Sequence, residues 1–247
     1  MIDKKIKHEN KLISGSRYAA DFDYFMHDFC LERFMEDLKD KNCLELGCYH
    51  GEMTKKLARF CQSVTAVDVD ATCISFSEDT CRENLNVKFI NSDFINFKDY
   101  SQYEVIYFSH ALEHVINDAE LITHINKSMS RNQVLITIVP NGRSLSRQIA
   151  VNMGLMESPL QVTDFERKIG HHRTYDMQSL SSLFINSGME IISKGGIMPK
   201  IFSNNQYDKC IDARIIDLNF LKALNNLSKI YPELCASIFL ITKKGMP

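Results

Sequence analysis

The sequence predicts an α/β fold, in which a doubly wound and mostly parallel sheet carries helices on both of its faces. Short apolar runs alternate with helical stretches between residues 43 and 139, which is the pattern of strands joined by crossover helices. A glycine-containing turn follows the first run, where such sheets bind their ligands. The chain has 247 residues, 45% of them apolar and 24% charged, so it is expected to bury one core as a single domain, residues 1–247.

The elements follow one another in a regular order up to residue 140. An N-terminal helical cap is expected over residues 1–40, because apolar side chains recur every three or four positions within residues 22–38. The half that carries the ligand site follows over residues 41–140. Its strands are predicted at residues 43–46, 64–67, 87–90, 105–108 and 134–139. Helices are predicted between them at residues 53–60, 72–83 and 119–129.

The regular alternation stops after Pro140. Residues 141–175 are largely polar and are interrupted by glycines and a proline, which predicts an insertion that is partly helical. Regular elements return in the C-terminal half, residues 176–247. They are predicted as a helix, a strand, a helix and a strand at residues 177–187, 190–193, 213–227 and 236–242.

The composition argues against several classes of partner and location. The formal net charge is -2 with no basic stripe, so no nucleic-acid partner is expected, because such binding depends on neutralising phosphates. No apolar run has the length of a membrane span. The eight cysteines form no C-x-x-C pair and the first residues lack the apolar stretch of a secretory signal, so we expect reduced thiols and a cytoplasmic location.

The turn after the first strand has the sequence Gly47-Cys48-Tyr49-His50-Gly51. Small residues at this point let a ligand approach the backbone beyond the carboxyl ends of the strands. The spacing is G-x-x-x-G, whereas dinucleotide sites favour G-x-G-x-x-G so that a pyrophosphate can reach the helix N-terminus. The sequence therefore predicts a cofactor site that is not built for NAD.

Carboxylates follow the next two predicted strands. Asp68 follows the second strand, where it can accept hydrogen bonds from both hydroxyls of a ribose. Asp93 follows the third strand, where it can accept from an adenine amino group while Phe94 packs on the ring. Each aspartate alone is explained equally well as a turn or helix cap, and Glu45 as an acceptor of local backbone hydrogen bonds. Their occurrence at successive strand ends favours the ligand site.

These motifs resemble those of the class I S-adenosylmethionine-dependent methyltransferases. Four segments carry the resemblance: Glu45-Leu46-Gly47-x-x-x-Gly51, Val67-Asp68, Asp93-Phe94, and Tyr103 to Val115 with its L-E-H-V sequence. The last is similar to the ubiquinone-type small-molecule branch. The segments that begin at Pro140 and Gly170 also look like a bacterial subgroup whose acceptors are often sugars or cell-surface precursors.

The resemblance implies a Rossmann-like, seven-stranded sheet whose last strand is antiparallel. It also implies S-adenosylmethionine as cofactor, which leaves as S-adenosylhomocysteine, and a small-molecule acceptor that receives the methyl group on oxygen or nitrogen. Tyr49 stands where the family usually has a second glycine. The residues expected to contact the cofactor are Glu45, Gly47, Cys48, Gly51, Asp68, Val69, Asp93, Phe94, Ser109 and His110.

Histidines supply the candidate bases for a hydroxyl or ammonium acceptor, because an imidazole titrates near neutral pH. His114 follows the fourth strand, and His171 lies in the insertion, where this fold usually builds its acceptor pocket. His114 could instead fix a loop by hydrogen bonding. His110 to His114 also match the H-x-x-E-H zinc-peptidase motif, but that motif requires a helix and this segment follows a strand. No metal site is assigned.

The insertion has a surplus of cations, which favours an anionic acceptor such as a sugar phosphate. Arginine forks suit carboxylate and phosphate groups, so Arg143 and Arg173 are the candidate acceptor-binding residues. Tyr18 could cover the pocket from the N-terminal cap. A solvated surface with salt bridges explains the same charges.

Two other functions use the same sheet. A non-catalytic relative would keep the fold and the cofactor and act as a binding subunit, although the intact Gly47, Gly51, Asp68 and Asp93 argue against it. A nicotinamide-dependent oxidoreductase is disfavoured by the spacing of the glycines. The sequence indicates no oligomeric state.

Overall fold

The computed structural model describes residues 21–245, and this part of the chain contains a seven-stranded sheet. The strands are β1 (Asn42–Leu46), β2 (Ser63–Asp68), β3 (Val87–Asn91), β4 (Val105–Ser109), β5 (Val134–Pro140), β6 (Met189–Pro199) and β7 (Cys235–Lys244). They lie in the order β3-β2-β1-β4-β5-β7-β6. Neighbouring strands from β3 to β5 are parallel, and β7 is antiparallel to both β5 and β6. The predicted fold class is confirmed.

Helices lie between and after the strands, most of them where the sequence predicts them. They are α1 (Asp21–Leu38), α2 (Glu52–Leu57), α3 (Ala71–Thr80), α4 (Asp118–Ser128), α5 (Leu145–Asn152), α6 (Asp164–Lys168), α7 (Met177–Asn186), α8 (Asn204–Asp212) and α9 (Leu218–Asn226). The insertion holds α5 and α6. Within residues 21–245, no helix combines the length and the apolar character that crossing a membrane requires.

Helices cover both faces of the sheet, and the side chains that alternate along each strand pack against them. In β4, Tyr107 lies in one core cluster with residues of α1, and its ring contacts Phe34 edge to face at 6.5 Å. Ile106 and Phe108 point to the other face, into a second cluster with Leu121 of α4. Such alternation is what a strand with two covered faces requires, because successive side chains point in opposite directions.

The helix predicted over residues 213–227 is wrong at its start. Arg214 has a left-handed φ of +57°, and Asp217 caps α9 by accepting a hydrogen bond from the N–H of Phe220 at 2.8 Å. The chain therefore turns after Asp212, and α9 begins at Leu218.

The sequence interpretation also missed α8, which is largely polar and is anchored by one buried ring. Tyr207 stacks on Phe22 of α1 with ring centroids 4.5 Å apart.

β6 is longer than the four residues predicted for it, because it continues through Gly195 and Gly196 to Pro199. A Cβ atom on Gly195 would lie 2.7 Å from the Phe239 ring, so packing by β7 explains a glycine inside this strand.

Candidate functional site

Two glycines in the left-handed conformation shape the loop between β1 and α2. Gly47 and Gly51 both have φ of +82°, which favours glycine. A Cβ atom on Gly47 would lie 2.7 Å from the Cβ of Ala111, and one on Gly51 would lie 2.9 Å from the Cα of Ser77. Cys48, between them, is buried. Close packing as well as backbone shape therefore requires both glycines, and the Ala111 contact brings the ends of β1 and β4 together.

Tyr49 has a left-handed backbone conformation, which favours glycine. Its φ is +47°, its N–H donates to Oδ2 of Asp68 at 3.1 Å, and its carbonyl accepts from Oγ of Ser77 at 2.8 Å. The ring is stacked on His50, with centroids 3.8 Å apart. Tyr49, at the position of the expected second glycine, thus has a left-handed backbone that few residues with a side chain adopt.

Asp68 links the glycine loop to the end of β2. Its Oδ2 accepts from the N–H of Tyr49, and its Oδ1 accepts from the N–H of Asp70 at 3.0 Å. The residue is partly buried, and Val69 beside it is exposed. Because an ionised carboxylate has about four acceptor positions, Asp68 retains capacity for hydrogen bonds from a ligand beside the loop.

Glu45 places a carboxyl group inside the protein two residues before Gly47. Its Oε2 atom is buried and has no hydrogen-bond partner. Burial raises the pKa of this carboxyl to about 8. A buried polar atom without a partner is unfavourable, so a cationic group bound nearby would stabilise the ionised form.

Asp93 and Phe94 follow β3, and Phe94 lies beside the glycine loop. The Phe94 ring lies 3.8 Å from the position of a Cβ atom on Gly47, and it contacts Phe108 edge to face at 5.7 Å. Asp93 is exposed, and its Oδ1 accepts from the N–H of Ile95 at 2.8 Å. The structure therefore brings Phe94 to the loop, while Asp93 also has the turn role that its sequence position allows.

His110 is held by serine hydroxyls on both of its ring nitrogens. Nδ1 lies 3.0 Å from Oγ of Ser109, and Nε2 lies 3.0 Å from Oγ of Ser237. The residue has a left-handed φ of +51°, and burial lowers the pKa of its ring to about 3. These contacts describe a neutral, packed imidazole at the end of β4.

The two candidate catalytic histidines meet although 57 positions separate them along the chain. The rings of His114 and His171 contact edge to face, with centroids 4.7 Å apart. Burial lowers the pKa of both rings, that of His171 to about 4. His172 is exposed, and its N–H donates to the carbonyl of Glu113 at 2.9 Å, which ties the insertion to the end of β4.

Glu113 is a site residue that the sequence interpretation did not select. It is 1% exposed, and its Oε1 lies 3.9 Å from Nε2 of His171. Burial raises the pKa of this carboxyl to about 8. The signal was present, because Glu113 stands beside His114 in the L-E-H-V sequence. Among the described residues, Glu113, His114 and His171 form a group whose ligand atoms could hold a metal ion.

The candidate acceptor-binding arginines both take part in ion pairs. Arg143 donates from Nε to Asp176 at 2.9 Å, and its side chain remains 59% exposed. Arg173 pairs with Asp118 and also donates to a backbone carbonyl, with its side chain 28% exposed. The charge surplus of the insertion is therefore smaller than the sequence suggests, and Arg143 is the freer of the two. Tyr18 lies outside the described residues.

Comparison with known proteins places the chain in a family. A family model described as a methyltransferase domain matches residues 18–194, which contain the glycine loop, the strand-end carboxylates and both candidate histidines. Nodulation protein S of Sinorhizobium fredii (strain NBRC 101917 / NGR234) is 27% identical over 89 residues. That match covers 36% of this chain and 41% of the length of nodulation protein S.

Solved structures share the fold at low sequence identity. The N-methyltransferase NodS from Bradyrhizobium japonicum WM9, in complex with S-adenosyl-L-homocysteine, is similar with a TM-score of 0.58 and 12% identity, over 98% of this chain and 97% of that chain. The [4+2]-cyclase SpnF is similar with a TM-score of 0.61 and 16% identity, over 91% of this chain and 82% of that chain.

Proposed function

This chain belongs to the methyltransferase domain family and uses S-adenosylmethionine, and we propose that it methylates an oxygen or nitrogen atom of a small sugar-like acceptor. Candidate acceptors are a sugar, a sugar phosphate or a precursor of a cell-surface polysaccharide. Support for a nitrogen acceptor comes from the similarity to nodulation protein S and to the N-methyltransferase NodS. A binding subunit that holds the cofactor without turnover is the alternative.

One observation carries the proposal: the ends of β1, β2, β3 and β4 bring their polar and glycine residues to one edge of the sheet. Asp68 is joined to the glycine loop through Tyr49, and Phe94 and Ala111 both approach Gly47. In open α/β sheets this edge is where ligands bind, at the point where the strand order reverses.

The residues at this edge fit the cofactor by their chemistry. We propose that Asp68 accepts hydrogen bonds from the ribose hydroxyls and that Phe94 packs against the adenine, with Val69 and Asp93 beside it. The unpartnered Oε2 of Glu45 suits the positive charge of the methionine end. Cys48, Ser109 and His110 complete the proposed lining.

The bound cofactor supplies a methyl carbon that is already activated on a sulfonium. The protein then has to align the acceptor with that carbon and exclude water, a contribution of up to about 7–11 kcal/mol when the geometry is good. We propose that His114 and His171 act on the acceptor, since their rings are in contact and His114 lies three residues after Ala111, which approaches Gly47. Their lowered pKa values keep them neutral near pH 7, and a neutral imidazole can accept a proton.

Cofactor binding is expected to stabilise the folded chain. At S-adenosylhomocysteine about 100 times above its Kd, the free energy of unfolding should rise by about 2.7 kcal/mol, which raises the Tm by roughly 5–10 °C. NAD at the same concentration should give no shift. A thermal shift with NAD alone would contradict the proposal. Release of S-adenosylhomocysteine in the presence of amino sugars or sugar phosphates separates an enzyme from a binding subunit.

Arg143 is proposed to meet an anionic group of the acceptor. Replacing it with glutamine should raise the KM for a phosphate- or carboxylate-bearing acceptor roughly tenfold, because a charge-assisted hydrogen bond contributes about 1.5–3 kcal/mol. The kcat should change little. Arg167→Gln is the matched control, because Arg167 is an exposed arginine of the same insertion. Equal KM values for the two variants would leave Arg143 as a surface residue that only pairs with Asp176.

A further inference from the structure

Three side chains in the proposed acceptor region lie close together. Glu113 and His114 lie in the turn directly after β4, and His171 comes from the insertion after α6. Each offers one ligand atom, and these atoms all lie within 4.8 Å of one another. The hydrogen bond from His172 to the carbonyl of Glu113 holds the two segments together.

Two polar atoms of this cluster are buried without a partner. They are Oε2 of Glu113 and Nδ1 of His171. A buried donor or acceptor without a hydrogen bond is unfavourable, and native proteins contain few of them. The nitrogen of His171 that faces Glu113 is Nε2, at 3.9 Å from Oε1, so the unpartnered Nδ1 lies on the far side of the ring. The unpartnered Oε2 of Glu113 is therefore the atom that indicates a bound species completing the site.

We propose that Glu113, His114 and His171 bind a first-row divalent transition metal of the zinc class. Two imidazoles and one carboxylate are the donor set of several catalytic zinc sites, which keep an open position for a further ligand. Magnesium and calcium favour sites made of oxygen atoms alone. His110 is excluded from the set because both of its ring nitrogens are engaged by serines.

The separations allow a metal with a small inward movement of the side chains. Ligand atoms in a tetrahedral zinc site lie about 3.3 Å apart, given bonds of about 2.0–2.1 Å. The Glu113 to His171 distance of 3.9 Å is already close to this value. Thus the ligand atoms need to approach one another by about 1 Å or somewhat more on binding.

Gly170 supplies the support that a metal-binding histidine usually has behind it. The His114 ring lies close to the Gly170 backbone. Gly170 has φ of +92°, and a Cβ atom there would lie 3.2 Å from Nδ1 of His114. A backbone contact on one nitrogen fixes the ring and leaves the other nitrogen for a metal.

The open position would present a Lewis acid to the hydroxyl or amine of the acceptor, and with the metal bound His114 and His171 would act on the acceptor through the metal and not as free bases. This role rests on the proposed function, whereas metal binding itself does not. The third ligand is His171 and not His110, which explains why the H-x-x-E-H spacing could not reveal the site.

The test is metal binding by the full chain after it has been stripped with a chelator and dialysed. Titration with Zn²⁺ by calorimetry should give one site per chain, and Co²⁺ should give the visible absorption of a low-coordinate site. His171→Ala and Glu113→Gln should each weaken Zn²⁺ binding more than tenfold, because even residues behind the ligands change affinity about 10- to 100-fold. Mg²⁺ should not compete.

His172→Ala is the matched control, because His172 is exposed, adjacent to His171 and outside the ligand group. It should bind Zn²⁺ like the parent chain. Circular dichroism and S-adenosylhomocysteine affinity show whether each variant is folded, so failure of the metal proposal differs from failure of the proposed function. Equal Zn²⁺ affinity for the parent chain and the folded His171→Ala chain would overturn the proposal. So would preference for Mg²⁺.

Discussion

Replacing Asp68 with alanine is expected to weaken the binding of S-adenosylmethionine roughly 10- to 150-fold, which corresponds to the loss of about 1.5–3 kcal/mol for charged hydrogen bonds. Asp68 stands at the end of β2, and its two oxygens already accept from the backbone of Tyr49 and Asp70. The variant loses the acceptor for the ribose and also the contact that positions the glycine loop.

Calorimetric titration with S-adenosylhomocysteine measures this effect. Asp70→Ala is the matched control, because Asp70 is a carboxylate two residues away whose side chain caps α3 by accepting from the N–H of Thr72. That variant should lose the helix cap and some stability while keeping its cofactor affinity. If both variants bind the product equally well, Asp68 has no part in the cofactor site.

The strand ends were the most predictable part of this protein. Short apolar runs set the strands, and residues directly after parallel strands must meet at one edge of the sheet. The sequence alone therefore groups Gly47, Asp68 and Phe94, and the structure brings them together. What each of them contacts in a bound ligand remains a proposal.

Contacts made by the insertion could not be predicted in the same way. No periodic pattern connects residues 141–175 to the sheet, so nothing in the sequence says that His171 packs on His114 or approaches Glu113. The same limit applies to Arg173, whose charge is neutralised by Asp118 from α4. Local patterns report which residues share an element, and long-range packing decides which charges remain free.

The C-terminal helices show a second limit of predicting structure from the hydrophobic pattern. α8 buries mainly Tyr207, so its sequence lacks the apolar repeat that marks a helix packed along its length. The break before α9 depends on the left-handed Arg214, which is an unusual residue for that conformation. A tertiary contact between Tyr207 and Phe22 positions α8, whereas the start of α9 is fixed locally by the Asp217 cap.

Replacing Gly51 with alanine is expected to lower the free energy of unfolding by about 2–5 kcal/mol. A left-handed backbone costs a residue with a side chain about 1–2 kcal/mol, and overpacking in a filled site adds about 1–3 kcal/mol. Both apply here, because the φ of Gly51 is +82° and the new Cβ would lie 2.9 Å from the Cα of Ser77, a backbone atom that a side-chain rotation cannot move.

Gly154→Ala separates the two contributions. Gly154 has a similar φ of +72°, but nothing lies within 4 Å of its added Cβ, so this variant should lose only the conformational part, about 1–2 kcal/mol. Urea unfolding of both variants measures the difference. A loss at Gly51 that exceeds the loss at Gly154 assigns the remainder to crowding against α3, and hence to the packing that positions the loop for the cofactor. Equal losses would mean that α3 yields to the extra methyl group, and the G-x-x-x-G spacing would then reflect backbone shape alone at its second glycine.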